Sequence, residues 1–187
     1  MTFKKLFYVL LMIICAWLGY YLLGQHWKQG VQVKPNDEKP MFIGNKVSNT
    51  SFDLKGTRQY QIDAEHIEHF NISGETVFTK PVLWIFKQGQ NAEWRVSANN
   101  AKLEQDKILH LQGNVRIFNL LPDSDVQVIK TDSLRLNLVN KDFSTDDHVT
   151  INGPVFQNQG DGMKGNMDRN VATLLKNVKG RYEPTKN

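Results

Sequence analysis

From residue 41 onward the chain alternates between apolar and polar positions. Tyr60, Ile62 and Ala64 are separated by Gln61 and Asp63. Trp94, Val96 and Ala98 are separated by Arg95 and Ser97, Val115 and Ile117 by Arg116, and Val149 and Ile151 by Thr150. Leu134, Leu136 and Leu138 are separated by Arg135 and Asn137. A period of two puts successive side chains on opposite faces, so each segment predicts a strand with one dry and one wet face. The pattern also recurs. Ile62-x-Ala64-x-x-Ile67 returns as Val96-x-Ala98-x-x-Ala101-x-Leu103, and again as Ile129-x-Thr131-x-x-Leu134-x-Leu136. Met163-x-Gly165 is a weaker copy one period further on, and Val115-x-Ile117 matches Val149-x-Ile151, with Leu83 in the Ile117 column. The period is roughly 34 residues, within the range of stacked repeat arrays. It predicts a stack in which each unit covers its neighbour's dry face, here roughly four units of two or more short strands. The expected result is a curled, elongated antiparallel sheet. Small residues at Ala64, Ala98 and Gly165 predict a tight corner, and Gly113 and Gly153 predict bends or bulges.

Two segments depart from simple alternation. Val171, Leu174, Leu175 and Val178 have helical spacing, with Asp168 before and Gly180 after. The same stretch also reads as final strands, through Ala172-x-Leu174 and Val178 to Tyr182; the pattern alone leaves both open. Phe78 and the run Pro81-Val82-Leu83-Trp84-Ile85-Phe86 are nearly continuously apolar, which predicts a strand covered on both faces.

The first 40 residues differ from the rest. Residues 6–24 hold 17 apolar residues, two glycines and no charge. As a helix they span roughly 28 Å, close to the hydrocarbon thickness of a bilayer. No small-residue cleavage pattern follows, and Tyr20, Tyr21 and Trp27 suit a membrane interface. The expectation is an uncleaved single anchor at 6–24, a cytoplasmic N-terminus at 1–5, a linker at 25–40 bracketed by Pro35 and Pro40, and a domain at 41–187 outside the membrane. Lys4 and Lys5 before the span, against Lys28 behind it, set that orientation. Residues 1–40 carry five lysines against Asp37 and Glu38, whereas residues 41–187 carry 18 Lys/Arg against 17 Asp/Glu. The near-neutral domain gives no support for binding nucleic acid. The one cysteine, Cys15, falls inside the apolar span.

Candidate chemistry is thin. Gly160-x-Gly162-x-x-Gly165 has the letters of a dinucleotide fingerprint, but lacks the strand-helix frame that chemistry needs. His66 and His69 lie three apart, so on a strand their imidazoles diverge, and no cysteine accompanies them. Asp142 with Asp146-Asp147, and Asp123 with Asp125, read as solvated turn residues. No Gly-x-Ser-x-Gly elbow is present. These features call for no enzyme activity, cofactor or metal. The rival class is a membrane-anchored β-repeat carbohydrate-binding domain or enzyme, which would carry polar and acidic residues on its concave face. A third reading is a scaffold with a closed, dry core.

A set of short words then carries a family resemblance. They are Phe78-Thr79-x-Pro81-Val82-Leu83; Trp94-x-Val96-x-Ala98-x-x-Ala101-x-Leu103; Leu111-x-Gly113-x-Val115; Leu121-Pro122-Asp123-Ser124; Thr131-Asp132; Asn137-Leu138-Val139; Val149-Thr150-x-x-Gly153; and Met163-x-Gly165-Asn166. In this order, behind an N-terminal anchor, they resemble the LptC family of lipopolysaccharide export. The resemblance implies an all-β periplasmic domain, a twisted half-open β-jellyroll like that of LptA. It also implies a conduit that takes lipopolysaccharide from the LptB2FG transporter of the inner membrane and passes it to periplasmic LptA. It settles residues 171–178 toward strands. Alternation and repeat columns place Ile62, Ala64, Phe78, Leu83, Ile85, Val96, Ala98, Ile117 and Leu136 inside, as the candidate lipid-lining set. The resemblance assigns the edge with Ala172, Leu174 and Tyr182 to LptA, and the edge from Val47 to Phe52 to LptF. Gly153 is expected to be needed for the fold or for docking.

Overall fold

A computed structural model describes residues 38–182. Apart from Glu38 they belong to a compact unit that runs Lys39–Asn187. The anchor expected at 6–24 and nearly all of the linker lie outside the described residues. Within them the structure is all strand: β1 Phe42–Phe52, β2 Arg58–His69, β3 Thr76–Thr79, β4 Val82–Lys87, β5 Asn91–Ser97, β6 Asn100–Leu103, β7 Ile108–Asn119, β8 Val128–Asn137, β9 Asp142–Asn152, β10 Phe156–Asn166 and β11 Val171–Tyr182. No helix of the described residues is long and apolar enough to cross a membrane.

All pairings are antiparallel and belong to one sheet. Between β2 and β7 this sheet splits. Residues 60–63 of β2 pair with β4, and residues 66–69 pair with β3. β4 continues to β5 and β3 to β6. Both branches rejoin on β7, β5 at residues 116–119 and β6 at residues 109–112. The long strands therefore run through two walls, and the dry faces of both walls share one core cluster. The expectation of short strands is corrected here: β1, β2 and β7 to β11 are 10 to 12 residues long. Each spans both walls with a bend at its middle.

The bend is written in the backbone. Lys46 of β1, Gly113 and Asn114 of β7, Gly162 of β10 and Asn177 of β11 all have positive φ, between 51° and 78°. Register shifts fall at the same level, between Gln112 and Val115, between Lys130 and Arg135, and between Asp161 and Met163. A bulge adds a residue to one strand and turns it. This explains the two-residue gap in the repeated motif. In Ala64-x-x-Ile67, Ala98-x-x-Ala101 and Thr131-x-x-Leu134, the flanking residues are buried and the gap rounds the corner. The fourth copy is displaced, because Met163 lies beyond the Gly162 bend and pairs with Thr145.

Two apolar rows fill the interior. On one wall Ile62, Leu83, Val96, Ile117, Ile129 and Ile151 are successive cross-strand partners, and the row ends on Asn158 and Gly180. On the other, Leu103, Leu109, Leu136, Phe143, Gly165 and Ala172 are successive partners. Burying each large aliphatic side chain contributes roughly 1.5–3 kcal/mol. Gly165 is small because a Cβ there would strike the Phe143 ring and the Val171 carbonyl. Ala101 is small opposite Phe78.

The outer face explains the apolar run. Leu83 and Ile85 point inward, while Trp84 and Phe86 point outward and are half-buried. Their cover is cationic: Arg95 lies 5.8 Å from the Trp84 ring and 4.3 Å from the Phe118 ring, and Arg58 lies 3.7 Å from the Phe86 ring. Trp84 Nε1 donates to Asp63 at 3.1 Å, and Asp63 also accepts from Ser48 at 2.7 Å, tying β1, β2 and β4 together.

Residues 171–178, open on pattern, are strand β11, paired with β10 from Asn166–Val171 to Phe156–Tyr182. Asp142, Asp146 and Asp147 are not turn residues as expected: all three lie on β9. Gly153 lies in the β9–β10 turn, not in a bulge. A Cβ there would run into the Asp125 carbonyl and the Phe156 ring. Gly153→Arg is expected to lower stability by about 3 kcal/mol or more, because the obstacle includes backbone. Gly56→Ala, at φ +80° with open space around it, should cost only about 1–2 kcal/mol. Thermal unfolding of both variants checks this; equal midpoints would show that the Gly153 turn can yield.

Candidate functional site

The interior is the candidate site. Eight of its expected lining residues lie on β2, β3, β4, β5 and β7 or just after β5, and Leu136 lies on β8. The nine are Ile62, Ala64, Phe78, Leu83, Ile85, Val96, Ala98, Ile117 and Leu136, and all face inward with relative exposures of 0–9%. They form the packed part of the core. A cleft opens further along, between β5 and β11. Its volume is about 740 Å³, and it is lined by Trp94, Ile129, Phe143, Ile151, Phe156, Val171 and Ala172, with Asn158, Asn166 and Asn170 among its polar groups. The loop Leu121–Val126 forms one rim and contributes Asp123 and Asp125.

The walls loosen toward β11 for a readable reason. The aliphatic row ends at Asn158, whose partner on β11 is Gly180, so that wall offers no bulky apolar side chain there. Opposite, the row ends on the small side chain of Ala172, while the Phe143 ring fills the space beside Gly165. Ala172, expected at an edge, does line the cleft. Of the other edge candidates, Val47 and Leu174 pack against the core, whereas Phe52 and Tyr182 are exposed at 60% and 68%. β1 pairs only with β2 and β11 only with β10, so each presents an unpaired edge among the described residues.

Sequence reasoning missed Lys141 and Met167. Lys141 is 3% exposed, in the β8–β9 turn at φ 63°. Its Nζ donates to the Leu138 carbonyl at 2.6 Å and lies 5.4 Å from the centre of the Tyr60 ring. Burial holds its pKa below the usual lysine value, and the Asp168 carboxylate acts the other way. Lysines are seldom buried, so nothing in the alternation pointed to it. Met167 is fully buried, and its carbonyl accepts the Trp94 indole N–H at 3.1 Å.

The remaining sequence candidates separate. His66 Nδ1 contacts Asn45 Oδ1 at 2.7 Å, while His69 Nδ1 contacts Thr76 Oγ1 at 2.9 Å. His148 contacts Asp161 at 2.9 Å, and Asp147 accepts from Ser133 at 2.6 Å. Among the described residues no group of three or more potential metal ligands comes together. Gly160, Gly162 and Gly165 all lie on β10, with no helix following.

Among known proteins, residues 8–183 match the family described as "Lipopolysaccharide-assembly, LptC-related". The lipopolysaccharide export system protein LptC of Haemophilus influenzae is 32% identical over 190 residues, covering 92% of this chain and 91% of that one. Its counterpart in Escherichia coli K12 is 34% identical over 152 residues, covering 81% and 80%. Among solved structures, LptH, the LptA-homologous periplasmic component from Pseudomonas aeruginosa, aligns with 80% of this chain and all of its own at 12% identity, with a TM-score of 0.48.

Burial of Lys141 gives a pH dependence. The folded state releases this proton at lower pH than the unfolded chain does. Between the lowered folded value and the ordinary value of about 10.4, the unfolded chain binds more protons, so folding becomes more favourable as pH rises. The stability of the native protein relative to Lys141→Met is expected to improve as pH rises toward that ordinary value, read by denaturant titration. A difference that stays flat over that range would show that Lys141 titrates as an exposed lysine.

Proposed function

The chain belongs to the LptC-related family of lipopolysaccharide assembly and export, and from that premise we propose that it is a relay in the lipopolysaccharide bridge. In this reading it receives lipopolysaccharide from the inner-membrane LptB2FG transporter, holds the acyl chains inside the folded sheet, and passes them to periplasmic LptA for outer-membrane assembly. Residues 6–24 anchor it in the inner membrane with the N-terminus cytoplasmic. Residues 25–40 tether a periplasmic domain formed by 41–187. The edge of β1 faces LptF, and the edge of β11 faces LptA.

One observation carries the reading: an aliphatic interior runs across the strands and opens into the cleft beside the edge strand β11. A strand added to that edge extends both the sheet and the interior row. Acyl chains gain about 0.8 kcal/mol per CH₂ moved from water, and aliphatic walls grip them without directional bonds. A weakly selective wall suits cargo that must be released again.

The test is a retention and transfer experiment with the full-length chain in detergent. It is expected to retain lipopolysaccharide and to lose it to added LptA. A photo-crosslinker at Phe78 should capture the lipid and one at Arg95, on the outer face, should not. A crosslinker at Tyr182 should capture LptA, and one at Phe52 should capture LptF. Lipid captured at Arg95 but not at Phe78 would reverse the inside and outside of the sheet. Binding of LptA without lipid would make the protein a scaffold.

A further inference from the structure

The two walls are joined across their open side by a defined seam. Trp94, on β5, sends its indole N–H to the carbonyl of Met167, in the β10–β11 turn, 73 residues away. The Met167 amide donates to the Lys141 carbonyl at 3.1 Å, and the Leu138 amide to the Lys107 carbonyl at 2.9 Å, so successive turns of that wall are bonded to one another. Lys141 completes the link through the Leu138 carbonyl and the Tyr60 ring. Tyr60, Ile85 and Trp94 are successive cross-strand partners on the opposite wall. The seam therefore stitches one row of the first wall to the turns of the second.

Trp94 also marks a boundary. One of its strand partners is Ile85, 2% exposed in the packed core; the other is Asn119, which lines the cleft. The indole is 5% exposed and is itself part of the cleft wall. Packed interior lies on one side of it and open space on the other.

We infer that Trp94 is the gating residue of the trough: its bond to Met167 holds the walls together between the packed interior and the cleft. An acyl chain moving between them must displace the indole. The inference rests on the relay reading for its cargo. The chemistry suits a gate that rests closed. A buried N–H without an acceptor is costly, so the indole returns to the carbonyl when no chain is present. One neutral hydrogen bond is weak enough to be broken by an arriving chain. The acceptor is main chain, so the opposing side needs only its turn to stay in place.

The test uses the full-length chain in detergent micelles with lipopolysaccharide. Photo-crosslinkers are placed at Phe78, in the packed part, and at Phe143, on the cleft wall. With Trp94 intact, capture at the two positions is expected to be separated by a lag. Trp94→Phe keeps most of the bulk and loses the N–H, and should shorten the lag about fivefold. Native-state amide exchange gives a readout that needs no lipid. Trp94→Phe should speed exchange at the Met167 amide about fivefold and leave the Leu136 amide unchanged. Equal acceleration at both amides would make Trp94 an ordinary core residue and overturn the gate. An unchanged lag with lipid captured at both positions would also overturn it, while leaving the relay reading intact. If no position captures lipid but the Met167 amide alone responds, the relay reading falls and the seam stands as an opening of the walls.

Discussion

An antiparallel sheet with one dry face and no covering layer has only one way to hide that face, which is to fold onto itself. Here the fold depends on every long strand bending at the same level. Lys46, Gly113, Asn114, Gly162 and Asn177 supply positive-φ corners, and register shifts at neighbouring strands absorb the extra residues. Were one strand to bend a residue early, its inward side chains beyond the corner would turn outward. The packed rows, the seam at Trp94 and the cleft all follow from the corners being aligned.

The alignment also accounts for what could be read from the sequence. Alternation identified the dry faces, and Ile62, Val96 and Ile129 do lie in one continuous cross-strand row. The small residues were legible as a crowded corner, though Gly165 owes its size to Phe143 rather than to the bend. The strand count was not legible, since a long bent strand such as β2 or β7 gives two short alternating patterns out of phase. Residues 171–178 looked helical because the edge strand β11 carries exposed apolar side chains on both faces, and its corner at Asn177 breaks the period of two.

The cleft was the least visible part. Its lining joins β5 to β11 and a loop between β7 and β8, and no local pattern connects Trp94 to Met167 or Lys141 to Tyr60. A buried lysine contradicts the usual preference of that side chain for water and can be found only from tertiary structure. The lining set that the repeat columns pick out falls in the packed part because those columns are regular where packing is tight. The opening occurs where the columns fail, at Asn158 and Ala172.

The split of the sheet between β2 and β7 has a geometric consequence. One wall bridges that gap with β4 and β5, the other with β3 and β6, two strands in each case. Because strands lie about 4.8 Å apart, both walls advance the same distance between β2 and β7. An odd hairpin in one wall would lengthen it by about 10 Å and force the pair to curve like a bimetallic strip. Matched counts keep the walls in step, so that both reach β11 after the same number of strands.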